Sequence, residues 1–90
     1  MSMYIIISPR AEKSLHKIPK FDQIAIAKRI RSLVNHKNVP ADEKLQSYND
    51  IFRFRLGNYR VVYKKSSKLI YIVLIAHRKD IYRLLRDFFK

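Results

Sequence analysis

The chain of 90 residues has no cysteine. That excludes a disulfide framework and a thiolate metal site. It has one glycine, Gly57, so no glycine-rich loop cradles a phosphate, and no nucleophile elbow is present. Acids are scarce, with Asp and Glu totalling 7, and they form no paired-carboxylate motif. The histidines His16, His36 and His77 are scattered and make no recognisable metal cluster. No apolar run is long enough to span a bilayer. Residues 1–8 lack the basic region and long apolar stretch of a signal peptide. The expectation is a cytoplasmic, reducing location, with no cofactor and no metal.

What the chain has is positive charge. Lys and Arg total 20, for a formal net charge of +13 and a pI near 10.4. A field of that sign favours nucleic acid, an anionic membrane surface or an acidic protein. The apolar fraction of 48% argues against disorder, and residues 1–90 fit one domain with a modest core. No helix pairs a strong basic face with a large exposed apolar one, which speaks against a membrane-surface protein.

Residues 3–7 are apolar and β-branched and read as a first strand. Ser8-Pro9 reads as an N-cap and first helical position, opening a helix to about Lys17 with Ala11, Leu15 and Ile18 inward. A second helix spans about 21–36, with Ala27, Ile30, Leu33 and Val34 as its inner stripe and Ile24 and Ile26 at the edges. Residues 41–50 form a connector anchored by Leu45. Residues 69–76 are continuously apolar and read as a strand covered on both faces. A last helix spans about 79–89, with Ile81, Leu84, Leu85 and Phe88 at i, i+3, i+4, i+7 spacing. Phe21, Tyr48, Phe88 and Phe89 read as core aromatics. The order β-α-α-β-β-β-α implies an α+β domain: a small antiparallel sheet, two N-terminal helices on one face, and a C-terminal helix.

The segment 52–63 is the most informative. Phe52, Phe54 and Leu56 alternate with Arg53 and Arg55, the period of a strand. Gly57-Asn58 suits a two-residue hairpin turn. That register sets Leu56 opposite Tyr59, Arg55 opposite Arg60, Phe54 opposite Val61 and Arg53 opposite Val62. Opposed residues share a face, so Arg53, Arg55 and Arg60 gather on one side and the apolar set on the other. Clustered like charges call for an anionic partner, and the arginine fork matches phosphate oxygens.

Residues 77–82, His77-Arg78-Lys79-Asp80-Ile81-Tyr82, follow the long strand. The face taken by His77 and Arg78 depends on register, which one residue reverses. Histidine is the side-chain type suited to proton exchange near neutrality, so His77 is the candidate acid or base. Lys28, Arg29 and Arg31 lie off the helical stripe and form either a solvated face or an RNA-attracting one.

These pieces together, Ser8-Pro9, Lys44-Leu45, the 52–63 hairpin and His77-Arg78-Lys79-Asp80-Ile81-Tyr82-Arg83, resemble the RelE branch of the RelE/ParE toxin superfamily along essentially the whole chain. The resemblance implies a ribosome-dependent endoribonuclease that cuts mRNA in the A site, neutralised by a cognate antitoxin. It implies that Arg60 contacts the scissile phosphate, that Arg78 protonates or stabilises the leaving 5′-oxygen, and that Tyr82 orients a base. Arg53 and Arg55 fall on basic positions of the first hairpin strand. Some relatives have lysine there, and arginine practically cannot act as a base, so the general base is not identified. The alternatives are a ParE-like inhibitor of DNA gyrase without nuclease activity, and an inactive basic RNA-binding module.

Overall fold

A computed structural model describes residues 3–35, 43–45 and 50–88. Five strands and three helices follow in the order β1 (Tyr4–Ile7), α1 (Pro9–His16), α2 (Lys20–Ser32), β2 (Glu43–Lys44), β3 (Ile51–Leu56), β4 (Tyr59–Lys65), β5 (Leu69–His77) and α3 (Ile81–Phe88). The sheet order is β1-β5-β4-β3-β2. β3, β4 and β5 form the expected antiparallel meander, whereas β1 pairs in parallel with β5. Within the stretch read as a connector, Glu43–Lys44 adds a short strand to β3. The second helix ends at Ser32 with Leu33 as its C-cap, one turn short of the expected end at His36; His36 itself and the aromatics Tyr48 and Phe89 lie outside the described residues.

Both sheet faces are covered. On one, Ala11 and Leu15 of α1 and Ile26, Ile30 and Leu33 of the α2 segment pack on Phe54, Val61, Tyr63, Ile70, Ile72 and Ile75. On the other, Ile81 and Leu85 of α3 pack on Ile51, Val62, Val73 and Leu74. Each fully buried aliphatic side chain contributes roughly 1.5–3 kcal/mol relative to exposure. Double coverage explains why β5 lacks hydrophobic alternation.

Two packing expectations change. The inner stripe of α2 runs through Ile26, Ile30 and Leu33, and Ala27 is only half-buried. Ile26 is therefore central, while Ile24, about 160° from it around the helix, points to solvent. Phe21 is 83% exposed, because the same rotation carries it off the stripe, and Phe88, in the last turn of α3, is 44% exposed. Neither belongs to the core.

The start of α1 is fixed locally. The Ser8 side chain accepts a hydrogen bond from the Ala11 N–H at 3.0 Å, and Pro9 occupies the first turn, where its missing donor costs nothing. The same Ser8 hydroxyl donates to the Val73 carbonyl at 2.9 Å, tying α1 to the middle of β5. Among the described residues no helix is long and apolar enough to cross a membrane.

Candidate anion-binding face

The hairpin has the register that its single glycine implies: Leu56 faces Tyr59, Arg55 faces Arg60, Phe54 faces Val61 and Arg53 faces Val62. Gly57 has φ of +58°, and Asn58 is not in the left-handed region. A positive φ at the first turn position alone is the II′ pattern, favoured because its twist matches the strands. Phe52, Phe54, Leu56, Tyr59, Val61 and Tyr63 pack with α1 and α2. Arg53, Arg55 and Arg60 take the opposite face.

The turn also holds the charges. Arg60 Nη1 donates to the Gly57 carbonyl at 3.0 Å and to the Tyr59 carbonyl at 2.9 Å. The Arg78 N–H donates to the Asn58 carbonyl at 2.7 Å. Arg60 and Arg78 are thus pinned to the same hairpin tip. Desolvation and then the charges of Arg55, Arg53 and Arg78 push the Arg60 guanidinium below the ordinary arginine value. The four arginines accordingly form one electrostatic group.

A β-bulge decides which residues of β5 join that group. Tyr63 pairs with Ile72, but Val62 pairs with Leu74, so Val73 is skipped. An extra residue reverses the alternation of everything beyond it. Ile75 and His77 therefore turn towards α1, opposite Val61 and Tyr59, while Ala76 lies opposite Arg60. Arg78 comes next, on the side where its charge reaches Arg60. His77 is carried away from the arginines: its ring meets Tyr59 edge-on at 5.8 Å, and its Nδ1 accepts the Lys79 N–H at 3.2 Å.

Tyr82, one residue into α3, is 52% exposed and lies over Arg53, whose guanidinium carbon is 5.5 Å from the ring centroid. Arg53 is only 4% exposed, whereas Arg55 is open to solvent. Lys28, Arg29 and Arg31 are not brought to this group, because α2 packs on the other face of the sheet. Lys28 and Arg31 are exposed there. Arg29 lies 4.6 Å over the Phe54 ring and donates to the Ser32 hydroxyl at 3.3 Å.

Sequence reasoning placed the arginines and Tyr82 but missed two supporting groups. The carbonyls of Gly57 and Tyr59 orient Arg60, which a residue pattern does not reveal. Ser8 was visible as a helix cap, but its bond to the bulged strand depends on tertiary packing. No group of three or more His, Cys, Asp or Glu that could hold a metal ion occurs among the described residues.

This architecture is shared with solved toxins. The E. coli YafQ–DinJ toxin–antitoxin complex matches at a TM-score of 0.77 and 18% identity, covering 91% of this chain and 99% of that one. A free-state mutant of E. coli RelE matches at 0.76 and 17%, covering 92% and 93%. The RelE–RelB complex of Pyrococcus horikoshii OT3 matches at 0.71 and 28%, covering 87% and 97%. The fold is therefore RelE-like. No curated protein sequence matches the chain at a significant level. A family model, the ParE toxin of type II toxin–antitoxin systems, matches residues 5–82. The chain belongs to that family, within the RelE/ParE superfamily, and is a toxin of a toxin–antitoxin system.

Proposed function

We propose that this toxin is a ribosome-dependent endoribonuclease that cuts mRNA in the A site and so stops translation in the cytoplasm. The observation that carries this reading is the convergence of Arg60, Arg55 and Arg78 on one hairpin tip, with Tyr82 over Arg53 on the same face of the sheet. Cleavage needs a 2′-oxygen to bond to the adjacent phosphorus as the bond to the 5′-oxygen breaks. The products are a 2′,3′-cyclic phosphate and a 5′-hydroxyl. Negative charge builds on the phosphoryl oxygens as the new bond forms, and fixed guanidinium groups stabilise it without rearranging.

In this scheme Arg60, held by the turn carbonyls, contacts the scissile phosphate. Arg78 stabilises the departing 5′-oxygen, which takes up a proton from the surroundings to become the 5′-hydroxyl, while Arg55 binds a flanking phosphate and Tyr82 stacks on a base. His77 is too committed to the Tyr59 side to take the 2′-hydroxyl proton, so that proton leaves to the ribosomal surroundings. Exposed Lys28 and Arg31 add general attraction to ribosomal RNA from the far side of the domain. The protein partner is a cognate antitoxin, as in the RelE–RelB and YafQ–DinJ complexes.

The test is primer extension on programmed ribosomes with purified toxin. Cuts within the A-site codon, with little cutting of naked RNA, support the proposal. Intact mRNA rejects it. The second reading, inhibition of DNA gyrase, is favoured by the ParE family match. It predicts intact mRNA together with blocked supercoiling.

A further inference from the structure

Arg53 sits in the site by sequence but is shielded from it by packing. It is 4% exposed, on the face covered by α3, with Tyr82 over its guanidinium. A phosphate reaches Arg55, which is exposed, without displacing anything. To reach Arg53 it would have to lift Tyr82 and with it the first turn of α3, whose Ile81 and Leu85 are buried against Val62 and Leu74. The two arginines differ by two residues on one strand and by nearly everything in their surroundings.

We infer that Arg53 is a positioning residue, not an RNA ligand: it holds the Tyr82 ring from beneath and leaves the ring's outer face free as a stacking platform. The inference rests on the nuclease reading for its consequence, but its geometry does not. A guanidinium within about 6 Å of an aromatic centroid is attracted by the ring's π face, and 5.5 Å is within that range. A cation fixed beneath one face also limits how far the ring tilts when a base stacks on the other. Base stacking tolerates any sequence, because every base has a π face. Arg53 thus sets where the base lies relative to Arg60 without touching it.

The chain contains no tryptophan, so Tyr82→Trp introduces a single indole reporter. Adding Arg53→Met to it should red-shift the emission and strengthen acrylamide quenching, while adding Arg53→Lys should leave both near the parent. An unchanged spectrum with Arg53→Met overturns the contact, whether or not the toxin cuts RNA. Binding to a single-stranded RNA oligonucleotide supplies the second arm. Each lost phosphate contact should reduce the log–log salt slope by about 0.7. Arg55→Met is expected to show that reduction and Arg53→Met to show none. A reduced slope for Arg53→Met makes it a phosphate ligand and ends the proposal.

In ribosome assays, wild-type cleavage first establishes the nuclease reading. Arg53→Met should then lower kcat by roughly a hundredfold, the scale of a misplaced reactant, at unchanged KM. Tyr82→Leu, altered from the exposed side of the contact, should match it and guards against a folding defect in Arg53→Met. Full kcat in Arg53→Met overturns the positioning role.

Discussion

The Ser8 hydroxyl donates to the Val73 carbonyl at 2.9 Å, at the residue skipped between Ile72 and Leu74 in the pairing of β5 with β4. The same oxygen accepts the Ala11 N–H. A helix cap and a strand irregularity are therefore held by one side chain, itself buried. Because the bulge turns Arg78 to the arginine face, a residue remote from the charge cluster helps to build it.

Ser8→Ala removes both bonds and leaves the Val73 carbonyl without that donor. The expected loss of stability is about 1–2 kcal/mol, read as a lower urea midpoint at unchanged slope. Hydrogen exchange at Ile75 and His77 should also quicken. A midpoint equal to wild type would show that neither bond matters.

Gly57→Ala isolates the turn. No atom lies within 4 Å of a Cβ added there, so no clash follows. The φ of +58° remains, and an L side chain in that region costs roughly 1–2 kcal/mol. Thermal melts should show that loss. Any activity should fall further, since the turn carbonyls that hold Arg60 shift with it.

Arg60 carries an electrostatic penalty in the fold. Its pKa is lowered by burial and by Arg55, Arg53 and Arg78, so the folded state disfavours its charge. The penalty is fully present below the folded pKa and is relieved as pH climbs through it, a window on the alkaline side only. No stability step from Arg60 is expected between pH 5 and 8. Arg60→Gln removes the repulsion together with the two bonds to the turn carbonyls, so its stability relative to wild type should be higher at low salt than at high salt, where the cluster is screened. Melts at two ionic strengths decide it; a gap independent of salt would rule out the charge explanation.

Arg29 differs from its neighbours on α2. Arg29→Met loses the contact over Phe54 and the donation to Ser32, an expected cost of about 1 kcal/mol. Lys28→Ala and Arg31→Ala change exposed positions and should leave the melting temperature unmoved. Equal effects in all three would remove the distinction.

The hairpin was readable in advance because two independent signals agree there. Strict alternation fixes which residues share a face, and the only glycine fixes where the chain turns. The start of α1 was readable because Ser8-Pro9 is a local cap. The bulge was not, because residues 69–76 are apolar throughout and either register buries the same kind of side chain. The α2 stripe was ambiguous for a related reason: Ile24, Ala25, Ile26 and Ala27 surround the helix with apolar groups, so tertiary contact chooses among them. The burial of Arg53 depends on where α3 lands, which no local pattern encodes. His77 shows the cost most clearly, since its nearness to Arg78 in sequence says nothing about which side it takes.

Were Val73 to pair with Val62 instead of being skipped, every charged residue and the net charge would stay the same. The pairing of β4 with β5 would become regular, Arg78 would trade faces with His77, and the hairpin tip would keep its arginines but lose the fourth. One sequence would then present different electrostatic surfaces in two registers. Among basic domains of this architecture, a one-place difference in strand register is thus a way to change what the surface meets without mutating a single arginine.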